Sequence, residues 1–235
     1  VVPAANSGEA AVVSGVRAIA VSSLPQALRV LAGAEKPTFA EQPASEPQSF
    51  VKTLDDVLGQ EAAKRALSIA AAGGHNLLMI GPPGCGKSML AERLASLLPP
   101  LASSEILEVL RIHSIAGQRT SSILAGVRPF RAPHYVVSDA GLVGGGSMPR
   151  PGEVSLAHRG VLFLDEASEI PAATLDALRT PLEKGQVRLT RARREVVYPA
   201  NFQLILAANP CPCGAEHTTD CRCTATQRAH HLRNV

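Results

Sequence analysis

An α/β fold with a parallel sheet held between helices is predicted by three observations. Strands alternate with helical segments from residue 60 onward, each strand is nearly all apolar, and a glycine-rich loop joins the first strand to the next helix. The expected order is a helix over 60–72, a strand over 76–80, the glycine loop and a helix over 87–98. A long irregular region follows, then a strand over 160–164, a helix over 172–183, a hairpin over 186–197 and a strand over 202–208. The 235 residues are enough for one full core and part of another.

The segment before residue 53 reads differently. Residues 34–52, AEKPTFAEQPASEPQSFVK, hold three prolines and few aliphatics, the composition of a semi-extended linker. Ahead of it, residues 11–13 and 16–21 read as two short strands. Ser22-Ser23-Leu24-Pro25 then caps a helix through about Leu31 that Gly33 ends. Some 33 residues are too few for an independent domain, so residues 1–33 are expected to be the tail of one that starts upstream. A second module is expected over 53–235.

Composition narrows the function. Seven aromatic residues (Phe 5, Tyr 2, Trp 0) exclude a nucleic-acid reader built on stacking platforms. The net charge of +3 is uneven: residues 111–194 carry twelve Arg/Lys against seven Asp/Glu, which points to a polyanionic partner or to a solvated basic face. Residues 66–86 and 196–215 lack charge, but glycines, asparagines and prolines interrupt both, so neither is a membrane-spanning helix. A soluble cytoplasmic protein is expected.

Gly81-Pro82-Pro83-Gly84-Cys85-Gly86-Lys87-Ser88 fits G-x4-G-K-[ST] and sits between a strand and a helix, the context that a working phosphate loop requires. Glycines let successive backbone N–H groups turn inward around phosphates at a helix N-terminus that already favours anions. Lys87 is expected to reach the β- and γ-phosphates of ATP and the Ser88 hydroxyl to ligate Mg²⁺. Cys85 occupies a variable position as a bystander. Val161-Leu162-Phe163-Leu164-Asp165-Glu166 is the matching second element: a buried strand delivers Asp165 to Mg²⁺, and Glu166 polarises the attacking water. Asn209, at the end of a third apolar strand, either orients that water or caps the strand.

Cys211, Cys213, Cys221 and Cys223 form a C-x-C…C-x-C set. Clustered thiols in a cytosolic chain fit a structural Zn²⁺, free reduced thiols or a disulfide, and the C-x-C gap is tighter than usual for zinc. Arg188, Arg191, Arg193 and Arg194 crowd the hairpin, and uninterrupted strand alternation would send Arg191 and Arg193 to one face and Arg188 and Arg194 to the other. They are expected to contact DNA phosphates or to form a solvated charged face. His75, His113, His134 and His158 show no ligand spacing and read as structural.

The segment DVLGQ (56–60) and AAAGGHNLLMIGPPGCGKSMLAERL resemble the magnesium-chelatase-like AAA+ ATPases. RPFRAPHYVVSDAGLVGGG (128–146), PRPGEVSLAHRGVLFLDEASEI (149–170), LRTPLEKGQVRLTRA (178–192) and NPCPCG (209–214) resemble the ComM/YifB type within them. The N-terminal VVPAANSGEAAVVSGVRAIAVSSLPQAL looks like the end of that type's Lon-protease-like domain. The resemblance implies an AAA+ core, a homo-hexameric ring assembled around ATP, and DNA as partner, since ComM is a helicase that drives branch migration in natural transformation. It implies that the arginine hairpin and the 128–150 insertion are pore elements. Tyr135 departs from the pattern where a second His is usual, and so do Ala167-Ser168 where Leu-Pro is common. The chain is expected to stop before the arginine finger and the helical lid. A chelatase ATPase subunit of tetrapyrrole synthesis, or a non-catalytic nucleotide-binding module, are the alternatives.

Overall fold

A computed structural model describes residues 1–13, 15–41, 52–146, 149–191, 194–215 and 221–233. The chain packs as two units, one of residues 1–49 with 100–127 and the other of 50–99 with 128–235.

The second unit holds the predicted parallel sheet. Its four strands run in the order Leu77–Ile80, Gln203–Ala208, Val161–Leu164, Phe130–Arg131, every neighbouring pair parallel. The two central strands are apolar on both sides because both sides are covered, and alternation divides their side chains between two cores. Val161, Phe163, Ile205 and Ala207 pack with Leu67 of helix Glu61–Gly73 and with Leu90 and Leu94 of helix Lys87–Leu97. Leu162, Leu164 and Leu204 meet Leu142, Val154, Ile170 and Leu178 on the opposite face. The edge strand departs from the expected pattern. Leu77 and Met79 pack inward, whereas Leu78 and Ile80 are 41% and 56% exposed, so among the described residues this strand is covered on one face.

Two elements of this unit differ from expectation. The helix expected over 172–183 is two, Ala172–Asp176 and Arg179–Lys184, because Pro181 has no N–H to give the carbonyl of Ala177 and its ring crowds that turn. The 128–160 stretch, expected to be irregular, contains Phe130–Arg131 at the sheet edge and the short helices Asp139–Leu142 and Glu153–Leu156. Arg131 forks onto Glu153 with N–O distances of 2.6 and 2.8 Å, which ties the edge strand to the second of these helices.

In the first unit Val2–Pro3 pairs in parallel with Ala20–Val21, and residue 39 bridges antiparallel to residue 19. Ala20 N donates to the Thr38 carbonyl and Ala40 N to that of Ala18, so the beginning of the proline-rich stretch is hydrogen-bonded to this pair. Residues 42–51 of that stretch lie outside the described residues. Helix Leu24–Leu31 starts as expected, with the Ser23 hydroxyl accepting from Gln26 N. The strand expected at 11–13 is not formed: Ser7–Ala11 is helical, its two alanines carrying the turn forward, and Val12 packs against Leu101, Val109, Leu110 and Ile123. Val109 and Leu110 come from helix Ser103–Ile115 and Ile123 from helix Ser121–Leu124, in a region expected to be irregular. No helix among the described residues is long and apolar enough to cross a membrane.

Candidate active site

Parallel register determines what meets at one end of the sheet. Ile80 is opposite Ala208, so Gly81 and Asn209 leave the sheet level with each other, and Leu164 is opposite Leu206, so Asp165 leaves the same edge two residues earlier. The carboxyl edge of an open parallel sheet is where such folds place ligands.

The first strand continues into the phosphate loop. Gly81 N donates to the Ala208 carbonyl at 3.2 Å, and Gly84 and Gly86 hold φ values of +79° and +90°, which a side chain would resist. These two turns keep the loop's backbone wrapped around one point, and helix Lys87–Leu97 starts immediately after. Pro82, Pro83 and Cys85 complete the wrap, Cys85 N reaching back to the Pro82 carbonyl. The Cys85 carbonyl accepts from Gln60 Nε2 at 2.9 Å.

Lys87 Nζ donates to the Gly81 carbonyl (2.7 Å), the Pro82 carbonyl (3.0 Å) and Asn209 Oδ1 (3.1 Å). The ammonium is therefore folded over the loop that would surround phosphates, with Asn209 brought to it from 122 residues away. Ser88 Oγ donates to Asp165 Oδ2 at 2.6 Å, so a hydroxyl from the first turn of helix Lys87–Leu97 and a carboxylate from the end of strand Val161–Leu164 face one point. These are hard oxygen donors of the kind Mg²⁺ takes, and the pair fits that ion. The other Asp165 oxygen accepts from Glu166 N at 2.9 Å. Glu166 adopts φ +51°, an uncommon conformation for a glutamate, which bends the chain sharply at the strand end. Ser88, Asp165 and Glu166 line a cleft of about 380 Å³ together with Phe130, His134 and Tyr135. Tyr135, which departs from the expected histidine, packs against His134 with ring centroids 4.3 Å apart and planes tilted by 32°.

The cysteines also converge. All four Sγ atoms lie within 4.8 Å of one another, with Cys211 buried and Cys213 exposed. Backbone N–H donors from Ala215 and Arg222 bring the Cys213 thiol down to about 6, while the hydrogen bond with Cys221, together with burial, pushes Cys211 up to about 12.

The hairpin forms from Gln186–Arg191 and Arg194–Pro199. Val187 and Leu189 pack on the core, and the Tyr198 hydroxyl donates to the Pro149 carbonyl. Its register corrects the expected division of arginines. Thr190 faces Glu195 and Arg191 faces Arg194, so the turn reverses the alternation and puts positions 188 and 194 on opposite faces. Arg188 instead shares a face with Glu195 and pairs with it at 2.5 Å. Arg193, and the side chains of Arg191 and Arg194, lie outside the described residues.

Sequence reasoning missed two groups. Gln60 is reached only through the folded loop. His231 is buried and its Nε2 lies 2.8 Å from the Asn209 carbonyl, which fixes the backbone that carries Asn209. Gln60 stands in the DVLGQ segment, which carried the resemblance without giving it a role, and His231 sits in no spacing pattern that could have marked it.

Comparison with known proteins agrees with this geometry. The family model described as magnesium chelatase, subunit ChlI, matches residues 53–235. An uncharacterised protein of Mycobacterium tuberculosis is 50% identical over 234 residues, 99% of this chain and 46% of that protein. YifB of Escherichia coli is 52% identical over 182 residues, 77% of this chain and 36% of YifB. The competence protein ComM of Haemophilus influenzae is 44% identical over 235 residues, 98% of this chain and 46% of ComM. The chain thus spans less than half the length of these relatives. With a phosphate loop, an Asp-Glu strand end and a polar third strand end on one parallel sheet, the chain belongs to the magnesium-chelatase family of AAA+ proteins and is of its ComM/YifB type.

Proposed function

We propose that this chain is the ATP-hydrolysing module of a ComM-like DNA helicase that acts in branch migration as a homo-hexameric ring. The observation that carries the ATPase part is the convergence of Lys87 with Asn209 and of Ser88 with Asp165 at three adjacent strand ends. In this reading the loop amides and Lys87 take the β- and γ-phosphates, which replace the carbonyls that the ammonium now contacts. Ser88 and Asp165 hold Mg²⁺, which when bound offsets the charge of the phosphates. Glu166 accepts a proton from the water that attacks the γ-phosphorus, Asn209 orients that water, and ADP leaves with the electron pair of the broken P–O bond.

The DNA part is supported by the 44% identity to ComM and by the basic hairpin. Contacts to phosphates would be sequence-independent and would release counterions. Arg188 is already engaged by Glu195, which leaves the turn arginines as the main source of charge. Replacing Arg191 and Arg193 with alanine in the assembled protein is expected to lower DNA affinity and to reduce the slope of log K against log salt by roughly 1.4 to 1.8. ATP affinity should be unchanged. Binding curves at several salt concentrations check this, and an unchanged slope would return the hairpin to a solvated charged face.

A further inference from the structure

We propose that Cys211, Cys213, Cys221 and Cys223 bind one Zn²⁺ per chain, and that the metal fastens the Asn209 loop onto the phosphate loop.

Sulfur spacing favours a shared metal over disulfides. Sγ separations are 3.1 Å for 211–221, 3.5 Å for 211–213 and 3.7 Å for 213–221. A disulfide needs about 2.05 Å. Four thiolates at the usual Zn–S distance of about 2.3 Å stand at tetrahedral edges of roughly 3.8 Å. The cluster is close to that second arrangement, so small movements would seat a metal. The backbone supports a thiolate here as well: Cys223 N donates to Cys221 Sγ at 3.4 Å. Such donors stabilise negative sulfur and orient it, which is what the outer shell of a thiolate site does.

The position of the cluster gives it a task. Asn209, two residues before Cys211, holds Lys87 through Oδ1. Gly214, one residue after Cys213, lies so close to the phosphate loop that a Cβ there would sit 2.8 Å from Pro83 Cγ. Helix Ala225–Arg233 begins two residues after Cys223, and its His231 holds the Asn209 carbonyl. Both ends of the cysteine loop therefore lead to Asn209. A metal at its centre closes the loop 211–223, whose sequence is mostly polar, as structural zinc does in small modules.

The fastening role rests on the phosphate-site reading above, but the metal does not, so the test separates them. Protein purified without chelator is expected to carry one zinc per chain, and cobalt in its place should give the intense visible bands of a tetrahedral thiolate site. The double variant Cys213→Ser/Cys223→Ser should keep its circular dichroism spectrum and lose the zinc. Removing the metal should raise amide exchange in residues 209–215 at least tenfold, leave strand 161–164 protected, and weaken ATP binding about fivefold. Metal-free protein with four freely reactive thiols, or zinc retained by the double variant, would overturn the site. Unchanged exchange in residues 209–215 after metal removal would overturn the fastening, whatever happens to ATP.

Discussion

Replacing Lys87 with alanine is expected to weaken ATP·Mg²⁺ binding by roughly 10- to 100-fold, the effect of losing hydrogen bonds from a charged donor. The ammonium already rests on the Gly81 and Pro82 carbonyls and on Asn209, so it is preorganised over the loop and needs no large movement to meet a phosphate. Its removal also takes away the partner of Asn209 Oδ1. The fold should survive, because the neighbours of Lys87 Nζ belong to the loop and the strand end, and the core below is built from Leu90, Leu94, Val161 and Phe163. An equilibrium titration with a fluorescent ATP analogue checks the loss, and equal affinity in wild type and variant would remove Lys87 from the site.

Glu166→Gln is expected to leave ATP binding near wild type and to lower turnover by roughly 10²- to 10⁴-fold, the range that a positioned general base supplies. Glutamine keeps the shape and the hydrogen bonding of the side chain and cannot take the proton. The backbone of residue 166 is the second reason to choose this change. With φ +51° the position is already strained, and glutamine bears that strain as glutamate does, so the variant tests the carboxylate alone. Measurement of phosphate release beside nucleotide affinity separates the two effects. Turnover at the wild-type rate would assign the base elsewhere.

The candidate site was legible because its pieces are short, local motifs at strand ends. Gly81 to Ser88 and Val161 to Glu166 each carry both a strand and the loop that follows it, so the sequence placed their side chains at the same sheet edge. Asn209 was harder: its strand was readable, but its contact with Lys87 depends on register across the sheet. Helix Ser103–Ile115 went unread although Ile106, Val109, Leu110 and His113 keep a helical period. Its N-cap position is Ala102, which has no accepting oxygen, and the start is marked only by Glu105 reaching back to Ala102 N. The hairpin failed in a different way. Counting alternation through the turn ignores that the turn exchanges the faces, so Arg188 met Glu195 instead of sharing a face with Arg194. For the cysteines, spacing alone left metal, thiols and disulfide open, and the gathering of all four sulfurs at one point depends on the folded loop.

The central claim is that residues from three strand ends form one ATP·Mg²⁺ site. Calorimetric titration of this chain with ATP, with Mg²⁺ present and then chelated, tests it most directly. Saturable binding of one ATP per chain is expected, and it should weaken markedly once Mg²⁺ is removed, because Ser88 and Asp165 then face the phosphates with no cation between them. Absence of saturable binding, or binding of the same affinity with and without Mg²⁺, would contradict it.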